Sequence, residues 1–169
     1  MSRKADSQTA ALHAEIIEAL PRVRRFARGL AGNVADADDL LQATVERTLS
    51  RARPANLDVA RWMFRVCRNL WIDEIRARNV RRDAAPRVAA EDEQIIGDDA
   101  AVLGTLGAEE VMSDLSELPD EQRAVLVLVA VEGFAYREAA EVLEIPIGTV
   151  MSRLSRARAT LSERLRGSD

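Results

Sequence analysis

Hydrophobic residues recur with helical spacing through the last third of the chain. Between Glu138 and Arg166 the apolar positions follow one another at steps of four, three, four and four, and they are Val150, Leu154, Ala157, Leu161 and Leu165. At about 100° per residue these positions cover a narrow arc of a helix. The opposite side carries hydroxyl and guanidinium groups, which come from Thr149, Ser152, Arg153 and Arg156. The pattern predicts a helix with one packing face and one face that presents hydrogen-bond donors.

A shorter helix is expected just before this one, across a tight turn. Pro146 cannot continue a helix and restricts Ile145 to extended conformations, so the turn is predicted at Glu144–Ile147. In the preceding segment, Phe134–Leu143, two adjacent alanines permit close approach of the second helix. An amphipathic surface helix with solvated arginines would show the same wheel. The paired helices favour a helix-turn-helix unit, whose second helix enters the major groove of DNA.

The first half of the chain also has a helical pattern. A polar stretch, residues 1–10, is expected to be frayed, and a first helix then carries Leu12, Ile16, Ala19 and Leu20. Pro21 is expected to start a second helix that ends at Gly32-Asn33. A third helix is predicted from Ala35 to Arg51, with a buried stripe of Leu40, Leu41, Val45, Thr48 and Leu49. The segment Arg53–Asp58 is interpreted as a loop.

A fourth helix, predicted from Val59 to Arg78, has two distinct sides. Its wide apolar side consists of Trp62, Met63, Val66, Cys67 and Leu70, and a narrow basic arc carries Arg61, Arg65, Arg68 and Arg76. A solvated basic surface and a polyanion-binding surface both fit such an arc. No acidic partner lies on the arc, and the chain continues as RARNVRR. These two observations favour binding of a polyanion.

Periodicity is lost in residues 83–107, DAAPRVAAEDEQIIGDDAAVLGTLG, which contain acidic runs and small residues. We interpret this segment as a flexible acidic linker. A second unit begins near Ala108, with helices at Glu109–Leu118 and Asp120–Glu132 before the helix-turn-helix. The predicted fold class is all-α, with two small helical domains at residues 1–82 and 108–169 joined by the linker.

Charge and composition sharpen this picture. The net charge of −4 hides a strong asymmetry, because residues 61–82 carry seven basic and two acidic side chains, whereas residues 83–121 carry one and twelve. Two regions can therefore meet phosphates, and an acidic segment separates them. Aromatic residues make up only 4% of the chain, which favours helices over a sheet sandwich.

Several function classes are not expected. No apolar run approaches the roughly 20 residues needed to span a bilayer, and the N-terminus lacks a hydrophobic signal region, so we expect no membrane segment and a cytoplasmic protein. One cysteine, Cys67, and one histidine, His13, cannot form a disulfide or a structural zinc site. No Gly-rich phosphate loop or nucleophile–base pair is found, so no enzyme activity, cofactor or metal is predicted.

Four segments together resemble the extracytoplasmic-function (ECF) group of bacterial sigma factors. They are DADDLLQATVERTL (36–49), RWMFRVCRNLWIDEIRAR (61–78), LPDEQRAVLVLVAVEGFAYREAAEVL (118–143) and IPIGTVMSRLSRAR (145–158). Each segment is moderately specific, and the four in this order and spacing are highly specific. The resemblance covers about residues 12–82 and 108–166, and it is nearest to the general-stress type.

The resemblance implies roles for the first domain. A surface of the third helix would grip core RNA polymerase, through Asp36, Asp39, Leu40, Gln42 and Arg47. Ala43 and Val45 stand where the family usually has a glutamate and an aromatic residue, which is expected to weaken or retune that grip. Loop Arg53–Asp58 matches the segment that captures an unstacked base of the minus-ten element. The residues implied in minus-ten binding are Arg53, Asn56, Arg61, Trp62, Arg65, Arg68, Asn69 and Arg76, with Trp62 mainly a core residue.

The resemblance also implies that the last helix reads the minus-thirty-five element. The implied residues are Thr149, Ser152, Arg153 and Arg156, because arginine can pair bidentately with guanine and hydroxyls can anchor phosphate. Met151 stands where relatives usually carry Lys or Arg, and Arg158 is the candidate to compensate. ECF factors are generally held inactive by an anti-sigma protein that covers both domains, so we expect core RNA polymerase, promoter DNA and an anti-sigma protein as partners.

Two other functions remain open from the sequence. A helix-turn-helix regulator would explain residues 108–166 but would leave the Asp-rich third helix and the basic fourth helix without a role. A sigma mimic that only sequesters an anti-sigma protein would have no reason to keep Arg153 and Arg156 on an outward face. The leading hypothesis is a sigma factor that recruits core polymerase, binds two promoter elements and helps to melt one.

Overall fold

The computed structural model describes residues 2–84 and 114–167, in which every regular element is helical. The first unit contains α1 (Ser2–Ala31), α2 (Val34–Ser50) and α3 (Val59–Ala84). The second unit contains α4 (Asp120–Leu126), a π-helical turn (Val127–Val131), α5 (Tyr136–Leu143) and α6 (Ile147–Gly167). The predicted linker lies outside the described residues from residue 85 onward, as does the start of the helix predicted at Glu109–Leu118, of which residues 114–116 are helical.

Helix α1 is a single helix, and the division predicted at Pro21 is wrong. The helix runs from Ser2 to Ala31 with Pro21 inside it, so the stretch predicted to be frayed is helical too. An internal proline costs about 3 kcal/mol, because it removes a hydrogen bond and crowds the preceding turn. The apolar stripe continues across Pro21, however, and Val23 and Phe26 are fully buried. Burying two such side chains contributes roughly 1.5–3 kcal/mol each, which offsets the cost of the proline.

Helix α2 begins after a left-handed glycine and a side-chain cap. Gly32 has φ of +76°, and the side chain of Asn33 accepts a hydrogen bond of 2.9 Å from the backbone N–H of Asp36. The expected burial of Leu49 is wrong, since this side chain is 48% exposed. Thr48 is buried as predicted, and Thr44 is buried too. The hydroxyls of both residues donate to the carbonyls four residues earlier. Polar side chains can occupy this core position because the helix satisfies their hydroxyls.

Helix α3 packs against both other helices of the first unit and extends six residues beyond the predicted end at Arg78. Phe64 packs edge-on against Phe26 of α1, with ring centroids 5.3 Å apart. Cys67 is fully buried, as predicted, and burial raises the pKa of its thiol to about 12, although a hydrogen bond with Thr44 opposes the rise. The helix therefore anchors the core along one side and leaves its basic arc on another.

The second unit contains the predicted helix-turn-helix. The predicted helix Asp120–Glu132 is present, with its last turn widened into a π-helix, and Gly133 follows with φ of +74°. The turn between α5 and α6 lies where Pro146 predicted it. Its first residue, Glu144, adopts the left-handed conformation with φ of 56° and ψ of 42°. Val150, Leu154 and Ala157 form the buried face of α6, while the side chain of Leu165 lies outside the described set.

The two units pack against each other and share one hydrophobic core. Phe64 of α3 meets Phe134, which precedes α5, edge-on at 5.0 Å. The guanidinium of Arg22 lies over both rings, at 5.5 and 5.3 Å from their centroids. A cation above two aromatic rings is attracted to both of them, so Arg22 stabilises the contact at this boundary. The arrangement places the basic arc of α3 beside α5.

Candidate nucleic-acid interface

The outward face of α6 presents most of the residues predicted to read DNA. Ser152, Arg156 and Arg158 are exposed, and Thr149 is half-buried near the start of the helix. The Ser152 hydroxyl donates to the carbonyl of Thr149 at 3.1 Å. This face can offer guanidinium donors to base edges and phosphates, because the opposite face of the helix is fixed in the core.

Arg153 differs from its neighbours on α6. Its side chain is only 19% exposed, and it forms an ion pair of 2.7 Å with Glu121 at the start of α4. It also lines a small cavity with Arg68 and Trp71 of α3. Arg153 therefore points toward the boundary between the two units, whereas Arg156 faces outward.

The basic arc of α3 has counterions, contrary to the expectation that it has none. Arg61 pairs with Glu138 of α5 and, at 3.6 Å, with Asp58. Arg65 donates to the carbonyls of Glu141 and Val142, and it lies 3.5 Å from the Glu144 carboxylate. The expectation was wrong because it considered acids along α3 alone, whereas Asp58 lies just before α3 and Glu138 and Glu144 lie more than 70 residues away in sequence.

The other members of the arc are less enclosed. Arg68 is half-buried and donates to the Asn69 side chain at 3.2 Å. Burial lowers the pKa of the Arg68 guanidinium, and the nearby positive charge of Arg153 lowers it further. Arg76 is 76% exposed, with Asp73 at 4.0 Å. Arg76 is thus the member of the arc most open to a phosphate.

The predicted loop between α2 and α3 is present and fixed at one end. Leu57 is buried, and its carbonyl accepts a hydrogen bond from the Arg53 guanidinium. Asn56 is exposed beside it. Trp62 is half-buried, and its indole nitrogen is buried without a hydrogen-bond partner among the described residues. The loop thus presents one exposed amide next to a helix that carries arginines.

The residues expected to grip polymerase occupy different environments along α2. Asp39 and Gln42 are exposed, Arg47 is half-buried, and Leu40 is a core residue at 7% exposure. Partial burial works against ionisation of the Asp36 carboxyl, but donors from Asn33 and Arg78, each at 3.0 Å, outweigh it and lower its pKa. Leu40 therefore packs α2 against the core, and Asp39 and Gln42 lie on the accessible side of this helix.

Two buried charged residues at the boundary between the units were missed from the sequence. Arg123 donates to the carbonyls of Leu115, Ser116 and Leu118, and also to that of Leu30 at the end of α1. Glu132, whose side chain has no exposed surface, accepts from Arg22 and Arg25 of α1. The available signal was that both residues flank the nearly continuous apolar run AVLVLVAV, where a charge needs a partner once it is buried.

Within residues 2–84 and 114–167, His, Cys, Asp and Glu side chains form no group that could hold a metal ion. None of the helices in this part of the chain is both long and apolar enough to cross a membrane.

Comparison with known proteins gives matches to both units. The family models for Sigma-70 region 2 and Sigma-70, region 4 match residues 16–81 and 108–161. ECF RNA polymerase sigma factor EcfG of Rhodopseudomonas palustris is 35% identical over 161 residues, which cover 91% of this chain and 84% of the relative. ECF RNA polymerase sigma factor SigE of Mycolicibacterium smegmatis is 39% identical over 155 residues, covering 85% of this chain and 57% of the relative.

A solved structure extends the likeness to three dimensions. The sigma factor RpoE from Bartonella quintana, in complex with the anti-sigma factor NepR, matches with a TM-score of 0.74 at 28% identity. The match covers 91% of this chain and 96% of that one.

Proposed function

This chain belongs to the ECF RNA polymerase sigma factors, and on that premise we propose how its two units divide the work of promoter recognition. A sigma factor works with core RNA polymerase on promoter DNA and performs no chemistry itself. Residues 1–82 bind core polymerase and the minus-ten element, residues 83–107 link the units, and residues 108–169 bind the minus-thirty-five element. The ranges of the two family matches support this division.

The outward face of α6 is the proposed reader of the minus-thirty-five element. The observation that carries this proposal is the exposure of Ser152, Arg156 and Arg158 on a helix whose other face is held in the core. Arg156 is the candidate for a bidentate contact with guanine, and the hydroxyls of Thr149 and Ser152 are candidates for phosphate contacts. Arg153 joins them only after it leaves Glu121.

The minus-ten element is assigned to the loop and to the arginines of α3. Asn56 is exposed on a loop whose far end is anchored by Leu57, as a pocket for an unstacked base requires. Arg76 and the other arginines of α3 would hold the phosphates on either side. Asp39 and Gln42, exposed on α2, are the proposed polymerase contacts.

The partners and compartment follow from the same premise. The relative RpoE was solved with an anti-sigma factor, and we propose that an anti-sigma protein also regulates this chain. Its action is proposed to be in the cytoplasm, where polymerase and chromosomal DNA are found. Assignment to the general-stress subgroup stays a prediction.

Transcription in vitro with purified core polymerase and a pool of genomic promoter fragments tests the proposed function. We expect transcripts with defined start sites that depend on the protein. Arg156→Ala should weaken binding of the upstream element by roughly 1–3 kcal/mol if it reads a base, as should Arg153→Ala. Arg166→Ala, an exposed arginine in the last turn of the same helix, is the matched control. Unchanged promoter use with Arg156→Ala would remove the assignment of α6, and the absence of protein-dependent transcripts would refute the function.

A further inference from the structure

Two exposed apolar side chains lie one turn apart at the start of α6. Ile147 is 42% exposed and Met151 is 48% exposed, and residues four apart in a helix are neighbours on its surface. Single exposed apolar residues are ordinary on a protein surface. The pair on α6 differs because it borders the face proposed to read DNA. The other large hydrophobic side chains that are exposed in the described ranges lie singly on separate elements, and they are Ile17, Leu49, Val80 and Val131.

The apolar pair occupies the part of α6 that would meet base edges. A recognition helix contacts bases with residues of its N-terminal turns, and Ile147 is the first residue of α6. At about 100° per residue, Ile147, Met151 and Arg158 fall within roughly 40° of one another around the helix. Arg158 is exposed two turns beyond Met151. It can therefore hold a phosphate at the edge of the groove while Met151 lies against the bases.

Gly148 lies between the two apolar residues, and the fold itself does not require a glycine there. A Cβ atom added to Gly148 would meet no atom within 4 Å, and its φ is not positive. Gly29 of α1, which is buried, is different, because a Cβ atom placed on it would lie 2.8 Å from Cγ2 of Val127. Glycine is a poorer helix former than alanine. Its presence at position 148 is explained if a molecule outside this chain approaches the backbone of α6 closely.

The chemistry of the major groove offers one group that matches an apolar side chain. Each base edge there presents hydrogen-bond donors and acceptors, and only thymine adds an apolar group, its C5-methyl. A guanidinium such as that of Arg156 reads the acceptors of guanine, whereas an apolar side chain can contact the methyl group. Met151 is unbranched and polarizable, so it can adapt its shape to this group. Removing both apolar surfaces from water favours the contact.

We propose that Met151, supported by Ile147, contacts the C5-methyl group of a thymine in the minus-thirty-five element and thereby selects an A·T pair at that position. The inference rests on the proposed function of α6 as the reader of this element. It adds a base preference that the arginines and hydroxyls of the helix do not supply. Gly148 allows the first turn of α6 to come close enough to the bases for the contact.

Deoxyuridine in place of thymidine tests this contact, because it lacks only the methyl group and keeps the same hydrogen-bonding groups. Holoenzyme is assembled from core polymerase and the full chain, and a promoter is selected with it from the genomic pool. Duplexes of this promoter then carry deoxyuridine at one thymine of the upstream element at a time, on either strand. Filter binding measures the affinity of each duplex for holoenzyme that contains the unmodified chain, Met151→Ala or Ile17→Ala. Ile17 is an exposed apolar residue of α1 and provides the matched control.

We expect deoxyuridine at one position to weaken binding of the unmodified holoenzyme by about fourfold, the ratio that corresponds to burial of one methyl-sized group. Met151→Ala should bind the thymine duplex more weakly by about the same factor or more, and it should not respond to deoxyuridine at that position. Ile17→Ala should respond as the unmodified chain does. An upstream element without an A·T pair overturns the inference, and so does a response to deoxyuridine that Met151→Ala retains.

Two further variants test the same contact in other ways. Met151→Lys places a cation at this exposed position, so it should lose the response to the methyl group and make the fall of log affinity with log salt concentration steeper by about one. Gly148→Ala should unfold at the same urea concentration as the unmodified chain or at a higher one, because its methyl group meets nothing. It should nevertheless bind the promoter about fivefold more weakly or worse, since the methyl group would crowd the DNA. A methyl response that persists in Met151→Lys, or equal promoter affinity of Gly148→Ala, overturns the inference.

The proposed function and this inference fail in different ways. If the unmodified holoenzyme selects no promoter, the proposed function itself is refuted. If a promoter is selected and Arg156→Ala weakens its binding, but no thymine methyl group affects affinity, then α6 still reads the element and the contact by Met151 is wrong. The exposed pair would in that case be left to a protein partner.

Discussion

Arg123 is expected to be the polar residue on which the second unit depends most. Its side chain is 9% exposed, and its guanidinium donates to four backbone carbonyls, with distances of 2.5–3.0 Å. One of these carbonyls, that of Leu30, lies in the last turn of α1, and the others lie just before α4. Carbonyls at helix ends have no partner within their helix, so one cation completes the hydrogen bonding of two chain segments.

The loss of stability expected in Arg123→Ala follows from the carbonyl groups that stay buried without a donor when the guanidinium is removed. A hydrogen bond to a charged group contributes roughly 1.5–3 kcal/mol. The four bonds do not simply add, because burial opposes the charge and lowers the pKa of the Arg123 guanidinium. Removing one partner from a buried ionic network costs about 3–5 kcal/mol, since the remaining groups stay buried without partners. We expect Arg123→Ala to lose about that much of a total stability of roughly 5–15 kcal/mol.

Urea unfolding followed by circular dichroism at 222 nm measures this loss, with roughly linear extrapolation to water. Arg137→Ala is the matched control, because Arg137 is exposed in the first turn of α5. We expect the control to change stability by about 0.5 kcal/mol or less. If Arg123→Ala and Arg137→Ala unfold at the same urea concentration, the carbonyl network does not stabilise the fold and this reasoning is wrong.

Three other outcomes are expected. Asp39→Arg should reduce assembly with core polymerase in a pull-down and leave the circular dichroism spectrum unchanged, because the side chain of Asp39 is exposed on α2. Glu163→Arg, at another exposed position, is the control. Normal assembly of Asp39→Arg would refute the contact. Alkylation of Cys67 by iodoacetamide at pH 8, measured by mass spectrometry, should be negligible in the native chain and complete in urea. In the native chain burial blocks access and raises the pKa of the thiol to about 12, which keeps it protonated. Rapid labelling of the native chain would contradict the structure. Glu144→Gly should raise the unfolding free energy by up to about 1 kcal/mol, because glycine adopts the left-handed conformation freely, and a lower urea midpoint would instead assign the larger effect to the lost ion pair with Arg65.

The helices were predictable because their signals are local. The spacing of apolar residues predicted α6 and its buried face, and Pro146 predicted the turn before this helix. Gly32 and Asn33 marked the junction of α1 and α2. In each case the residues that determine the structure lie within a few positions of one another, so the pattern along the chain contains the information.

The predictions that were wrong concern contacts between segments that are distant in the sequence. Pro21 alone predicts a helix break, and only the burial of the stripe on both sides of it keeps α1 continuous. Arg61 and Arg65 had no acidic neighbour along α3, yet Glu138 and Glu144 meet them from the other unit. No rule of spacing within one helix can supply partners that tertiary packing brings together.

The missing side chain at Gly29 has a consequence for how this protein can change by mutation. Alanine is favoured over glycine in a helix by roughly 1 kcal/mol, so Gly29→Ala should leave α1 itself intact. Its methyl group would nevertheless collide with Val127 at the place where the units meet. A side chain at position 29 should therefore be tolerated only together with a smaller residue at position 127.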